Sequence, residues 1–257
     1  MTATIDLNCD MGESFGAWTM GQDADVLRYV SSANIACGFH AGDPETMRRT
    51  VAAAAAHGVA IGAHPSLPDL AGFGRREMHV SADETYALTL YQIGALAAMA
   101  QAVGTRVRHV KPHGALYNMA AKDRALADAI AAAVRDFDHQ LILVGLAGSE
   151  LPRAGDRIGL AVAHEAFADR RYEPDGTLMA RSKEGAVIED VDEAVAHAIA
   201  IASRGEAVSS NGTLRIRADT ICVHGDRPNA ATFARRLREG LESAGLAVAP
   251  LAMGSRA

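Results

Sequence analysis

Short apolar runs alternate with longer amphipathic stretches along the whole chain, which is the rhythm of repeated strand–helix units. The apolar runs predict strands at residues 5–9, 33–37, 59–63, 107–111, 141–145, 160–165 and 220–223, with a weaker eighth at 246–249. The stretches between them predict helices at 23–31, 81–103, 124–137, 190–204 and 229–243. A further helix begins at Asp43-Pro44-Glu45, where an N-cap, a first-turn proline and an acidic residue suit the positive end of the dipole, and it stops at Gly58. Ser81-Ala82-Asp83-Glu84 reads as a capping box, and Asn229 as an N-cap. Ser209-Ser210-Asn211-Gly212 reads as a hairpin turn.

Strand–helix alternation from end to end implies parallel βαβ units with right-handed crossovers. Seven or eight of them predict one α/β domain over residues 1–257, a closed TIM-like (β/α) barrel. A doubly wound open sheet is the runner-up. No linker, repeat or low-complexity tract divides the chain.

Composition narrows the class. The 257 residues are 49% hydrophobic and 22% charged, which is globular, and the net charge of −6 lacks the basic footprint of a nucleic-acid or anionic-membrane binder. Three cysteines, Cys9, Cys37 and Cys222, make no disulfide framework, and Cys9 and Cys37 are expected to be buried and structural. With no signal-like N-terminus and no apolar run of membrane-spanning length, the expected location is the cytoplasm.

The placement of ionisable residues carries the chemistry. Predicted strand ends run into Asp10 and Glu13, His40 and Asp43, and His64. Further along they run into His109, Lys111 and His113, into His164, Glu165, Asp169 and Arg170, and into His224 and Asp226. In a (β/α) barrel these ends converge on one mouth, where active sites lie. Asp10, His40 and His64 suit a two-histidine, one-carboxylate metal set, or equally a group of histidines hydrogen-bonding a polar substrate. His109 and Lys111 share one face of their strand. Lys111 suits either an oxyanion or phosphate contact or an ion pair to a nearby carboxylate. Glu165 and Asp169 suit acid–base work or a divalent ion, and Arg170 offers a fork for carboxylate or phosphate; a structural ion-pair network is the alternative. Two long loops, 65–78 with Arg75 and Arg76 and 171–188 with Arg181 and Lys183, are candidate lids. Gly12-Glu13-Ser14-Phe15-Gly16 matches GxSxG but follows the first strand into a loop, so Ser14 is not expected to be a nucleophile. Neither GxxxxGK[ST] nor GxGxxG is present.

Several segments together resemble the LamB/YcsF family. They are Asp6-Leu7-Asn8-Cys9-Asp10-Met11-Gly12-Glu13, the run from Ala33 to Asp43, Gly62-Ala63-His64-Pro65-Ser66 and Gly72-Phe73-Gly74-Arg75-Arg76. Val110-Lys111-Pro112-His113-Gly114-Ala115-Leu116-Tyr117, Glu165-Ala166-Phe167-Ala168-Asp169-Arg170 and Val223-His224-Gly225-Asp226 follow in the family's order. The resemblance implies a barrel similar to polysaccharide deacetylases. It also implies the A subunit of an ATP-dependent 5-oxoprolinase, converting 5-oxo-L-proline to L-glutamate with ATP hydrolysed to ADP and phosphate. Implied partners are subunits B and C, with self-association left open. Implied cofactors are ATP and a divalent metal such as Mg. On this resemblance Asp10, Glu13, His40, His64, Lys111, His113, Glu165 and His224 are candidate catalytic residues. Arg75, Asp169, Arg170 and Asp226 are candidate ligand-binding residues. A metal-dependent amide hydrolase that uses no ATP, and a non-catalytic lactam-binding subunit, remain alternatives.

Overall fold

The structure is a computed structural model that describes residues 3–223 and 229–252. In chain order its elements are β1 (Thr4–Met11), α1 (Asp23–Val26), β2 (Ser32–Ala36), α2 (Pro44–Ala56), β3 (Ala60–His64), α3 (Ala82–Ala102), β4 (Val107–Val110), α4 (Gly114–Ala120) and α5 (Arg124–Phe137). There follow β5 (Ile142–Leu146), α6 (Glu150–Ile158), β6 (Ala161–Phe167), α7 (Val191–Arg204), β7 (Glu206–Ser209), β8 (Gly212–Arg215), β9 (Thr220–Val223), α8 (Ala230–Ser243) and β10 (Ala247–Val248).

Strands β1 to β6 pair in sequence, β6 pairs with β9, and β9 pairs back onto β1, all in parallel. The result is a closed seven-stranded barrel, so the open sheet is excluded. The weak eighth strand exists only as β10, two residues that pair with Thr4 and Ile5 at the start of β1 outside the closed ring. The hairpin is formed as expected, with Ser209 opposite Gly212 in the antiparallel pair β7–β8.

Local chemistry sets the helix starts. Asp43 accepts from the amides of Glu45 and Thr46 ahead of Pro44 in α2, and Ser81 and Glu84 form the reciprocal capping box of α3. Asn229 differs: it occupies the N-cap position of α8 in left-handed backbone, and its side chain makes no capping bond. The helix predicted at 23–31 is a single turn, α1, followed by turns over 27–29, with Val26, Leu27 and Val30 buried. The short helices α4 and α6 go beyond the elements predicted from the sequence.

The apolar core lies mostly between the outward face of the strands and the helices. The barrel interior is polar. Alternation along β1 turns Asp6, Asn8 and Asp10 inward, and strand register sets Asn34 beside Asp10 and Gly62 beside Asn34. Gly62 pairs in turn with His109 on β4, and a β-carbon there would overlap the His109 ring. The missing side chain lets the imidazole cross β3 and bond Asn34, with His109 Nε2–H donating to Asn34 Oδ1 at 2.7 Å.

Candidate active site

The site grows out of this polar interior. Lys111 lies just past β4 and is 3% exposed. Its Nζ meets four acceptors: Glu165 Oε1 at 2.8 Å, Asp10 Oδ1 at 2.9 Å, Asn8 Oδ1 at 3.2 Å and Cys222 Sγ at 3.3 Å. An ammonium has three protons, so none is left over for a substrate. Burial alone would lower the Lys111 pKa, but Asp10, Cys222 and Glu165 outweigh it and hold it well above its usual value. Of the two options open in the sequence, the geometry is that of the ion pair.

Glu165 is fully buried and saturated. Its Oε1 also accepts from Asn8 Nδ2 at 3.1 Å, and its Oε2 from the Tyr117 hydroxyl at 2.7 Å. It sits inside β6 rather than at the strand end, because β6 runs two residues further than predicted. Burial, reinforced by Glu165, pushes the Tyr117 phenol well above its usual pKa, so it stays a donor. Asp10 Oδ1 takes Lys111 and Asn34 Nδ2, at 2.8 Å, while its Oδ2 lies 3.3 Å from His64 Nε2. Burial would raise the Asp10 carboxyl, yet His64 and Lys111 keep it well below the usual carboxylate range.

Above this layer stand three histidines. His64 Nδ1 donates to the Lys111 carbonyl at 2.6 Å, and His113 Nε2 donates to the Phe73 carbonyl at 2.9 Å. His113 Nδ1 then faces His64 Nε2 at 3.1 Å. His40 stacks on His113, with centroids 3.9 Å apart and planes within 7°. Neither ring nitrogen of His40 has a hydrogen-bond partner among the described residues, although the residue is buried. Glu13 Oε1 lies 3.8 Å from both His40 Nε2 and His113 Nδ1. Burial, then the neighbouring histidines, pushes His40 well below its usual pKa, and burial with His64 takes His113 down to about 3.

A cavity of about 460 Å³ opens over Asp10, His64, Lys111 and His113. Its upper wall carries Arg75, Arg170 and Arg181. Arg75 lies over the Phe73 ring at 4.9 Å. Arg170 is largely buried, donates to the Met179 carbonyl and leaves its Nε without a partner among the described residues. The loop 65–78 is strapped down rather than free. Ala115 N donates to Gly74 O at 2.8 Å, His113 N to Pro65 O at 2.8 Å, and Asp69 pairs with Arg76. Phe73 adopts left-handed backbone (φ 56°), an uncommon state for an aromatic residue, and its carbonyl thereby meets His113.

Asp43 serves the α2 cap, and Ser14 exchanges hydrogen bonds with the Met20 backbone in a loop, in keeping with its exclusion as a nucleophile. Asp169 is buried and does not line the cavity, and His164 sits mid-strand below the mouth. All three cysteines are buried and free. His224 and Asp226 lie outside the described residues. Asn8, Asn34 and Tyr117 join the site without having been singled out in the sequence. The alternating polar residues of Asp6-Leu7-Asn8-Cys9-Asp10 were the available signal, since a strand walled in by helices should place them inside the barrel.

Residues 5–256 match the LamB/YcsF family. A protein of Methylococcus capsulatus described as the A subunit of 5-oxoprolinase is 61% identical over 252 residues, covering 98% of this chain and 97% of its own. The crystal structure of the lactam utilization protein from Thermus thermophilus superposes with a TM-score of 0.90 at 49% identity, covering 96% of this chain and 99% of that one. A polysaccharide deacetylase from Bacillus cereus shares the fold alone, with a TM-score of 0.50 at 11% identity over 100% of this chain and 95% of its own. With a match across nearly its whole length, the chain belongs to the LamB/YcsF family.

Proposed function

We propose that this chain is the A subunit of a 5-oxoprolinase and opens the lactam ring of 5-oxo-L-proline to L-glutamate in a reaction coupled to ATP hydrolysis. The observation that carries the proposal is the full-length identity to relatives that bear that name. The site's chemistry supports it. A five-membered lactam is an unstrained amide and a poor electrophile, and phosphorylating its oxygen would give an activated imidate that water attacks at the carbonyl carbon. Such a route needs cations for a carboxylate and a phosphoryl group, an ionised carboxylate near the water, and a proton donor for the leaving nitrogen.

The cavity offers each. Arg75, Arg170 and Arg181 face it with forks suited to carboxylate or phosphate. Asp10 is ionised at neutral pH and turns Oδ2 toward His64, which places it to orient water. Having taken a proton from the attacking water, Asp10 returns it to the leaving nitrogen, while His64 and His113 commit one ring nitrogen each to a backbone carbonyl. Lys111 and Glu165 fix Asp10 in place and do not themselves meet substrate in this proposal. Subunits B and C complete the assembly, ATP hydrolysis belongs to that assembly, and the cytoplasm is its setting.

The test measures glutamate and ADP from 5-oxoproline plus ATP with this chain alone, with its B and C partners, and with the partners alone. Equal glutamate and ADP that depend on this chain are expected. Glutamate without ADP would replace the proposal with a simple amide hydrolase, and glutamate made by the partners alone would end it.

A further inference from the structure

We propose that Glu13, His40, His64 and His113 form a binding site for a first-row divalent transition metal, with zinc the best-matched ion. A carbonyl only accepts, so the bond from His64 Nδ1 to Lys111 O puts a proton on Nδ1 and leaves Nε2 to face Asp10 Oδ2 at 3.3 Å. The bond from His113 Nε2 to Phe73 O leaves a lone pair on His113 Nδ1. His64 Nε2 and His113 Nδ1 point at each other across 3.1 Å. With Asp10 Oδ2 also at hand, a positive centre belongs where they converge, either a proton on His64 Nε2 or a metal ion.

His40 supplies the second, independent observation. Its imidazole is 1% exposed, and both nitrogens lack any hydrogen-bond partner among the described residues. A buried polar group in that state costs free energy unless something outside the chain satisfies it. Its Nε2 is 3.8 Å from Glu13 Oε1, which is itself 3.8 Å from His113 Nδ1, and the four donor atoms all lie within 4.8 Å of one another. Donors held at ~2.0–2.1 Å around tetrahedral zinc stand about 3.4 Å apart, inside the spread seen here. The two carbonyls that fix the tautomers also orient the ligands.

The donor set chooses the ion. Three imidazoles and one carboxylate suit zinc, cobalt, nickel or iron, whereas magnesium takes oxygen donors in an octahedron. Of the divalent metals, a transition ion suits this donor set better than the Mg that the resemblance gives as an example. Of the metal ligands suggested by the sequence, His40 and His64 belong to the set, while Asp10 stands beside it, tied to Lys111 and Asn34. The proposal is separable from the lactam activity, because metal binding is measured with no substrate present.

The experiment strips the purified full chain with a chelator and titrates it with Co²⁺, then with Zn²⁺, and finally with excess Mg²⁺. Expected are one equivalent of bound metal per chain by elemental analysis, visible cobalt absorption of low-coordinate type, displacement by Zn²⁺ and none by Mg²⁺. His40→Gln and His113→Gln, checked for folding by circular dichroism, are each expected to weaken Co²⁺ binding at least ~10-fold. If a variant does not fold, the wild-type titration decides. Substoichiometric metal with no cobalt spectrum, displacement by Mg²⁺, or unchanged affinity in a folded His40→Gln would overturn the site.

Discussion

Lys111 and Glu165 meet at 2.8 Å across the barrel interior, both essentially out of water, and each is a main counter-charge of the other. Removing one partner leaves a buried charge uncompensated. Lys111→Met should therefore cost about 3–5 kcal/mol, since both Asp10 and Glu165 lose their cation. Lys111→Met/Glu165→Gln should recover part of that loss, because one stranded charge is gone. Urea unfolding of the wild type, single and double variants measures it. A double variant less stable than Lys111→Met would refute the pairing.

Gly74 tests how tightly the strapped loop holds the histidines. Its φ is +64°, and a β-carbon would overlap Ser66 Oγ and come within 2.9 Å of His40 Cβ and 3.0 Å of His113 Cδ2. Gly74→Ala should lose about 1–3 kcal/mol from crowding, with added backbone strain, and should lower kcat by displacing both rings. Thermal unfolding and steady-state glutamate formation read the two effects. Wild-type kcat in this variant would mean the loop is not what positions His40 and His113.

His109 gives the pH dependence its sign. Burial, and then Lys111, lower its pKa to about 3 in the folded chain, against about 6.5 in an unfolded one. The fold thus prefers the neutral ring. The corresponding stability is fully present above pH 6.5 and is lost as pH falls toward 3, because only the unfolded chain takes up the proton. Stability should decline by up to roughly 1.4 kcal/mol per pH unit from this group across that window. His109→Gln keeps an N–H donor for Asn34 and removes the titration, so its slope between about pH 6.5 and 4 should be shallower. Parallel slopes for the two proteins would rule His109 out as a source.

Arg170 is a cavity cation with an unsatisfied nitrogen, and the proposed function assigns it to the anionic part of the ligand. Arg170→Met should raise KM for 5-oxoproline in the assembled enzyme by about tenfold, equivalent to ~1.4 kcal/mol of lost binding. An unchanged KM with reduced kcat would move Arg170 from substrate binding to a role in the chemical step.

The barrel is legible in the sequence because its strands and helices obey local rules. Pro44, the Ser81–Glu84 box and Gly205 mark boundaries without reference to the rest of the chain. Convergence of His40, His64, Lys111 and His113 follows from the rule that strand ends meet at the mouth. The inward network does not follow, because it depends on register. Whether Asn34 reaches His109 is decided by Gly62 standing between them, and no periodicity reports that. Glu165 reads as a strand end only if Ala166 and Phe167 are separated from the apolar run they continue. The short helices α4 and α6 lack the length from which a 3.6-residue repeat is read.

The interior hydrogen-bond network also constrains how such a protein can change. Asn8 touches Glu165, Thr220, Asn34 and Lys111 at once, so no single replacement there satisfies all four neighbours. A lineage adapting to a new substrate would meet a fitness valley at every one of these positions and would have to cross it by coordinated replacements. In the cavity wall, Thr177 and Met179 are held by backbone bonds to Glu173 and Arg171 and by the Arg170 side chain, all within their own loop. Divergence in specificity, natural or engineered, should accumulate in that wall while the floor stays frozen.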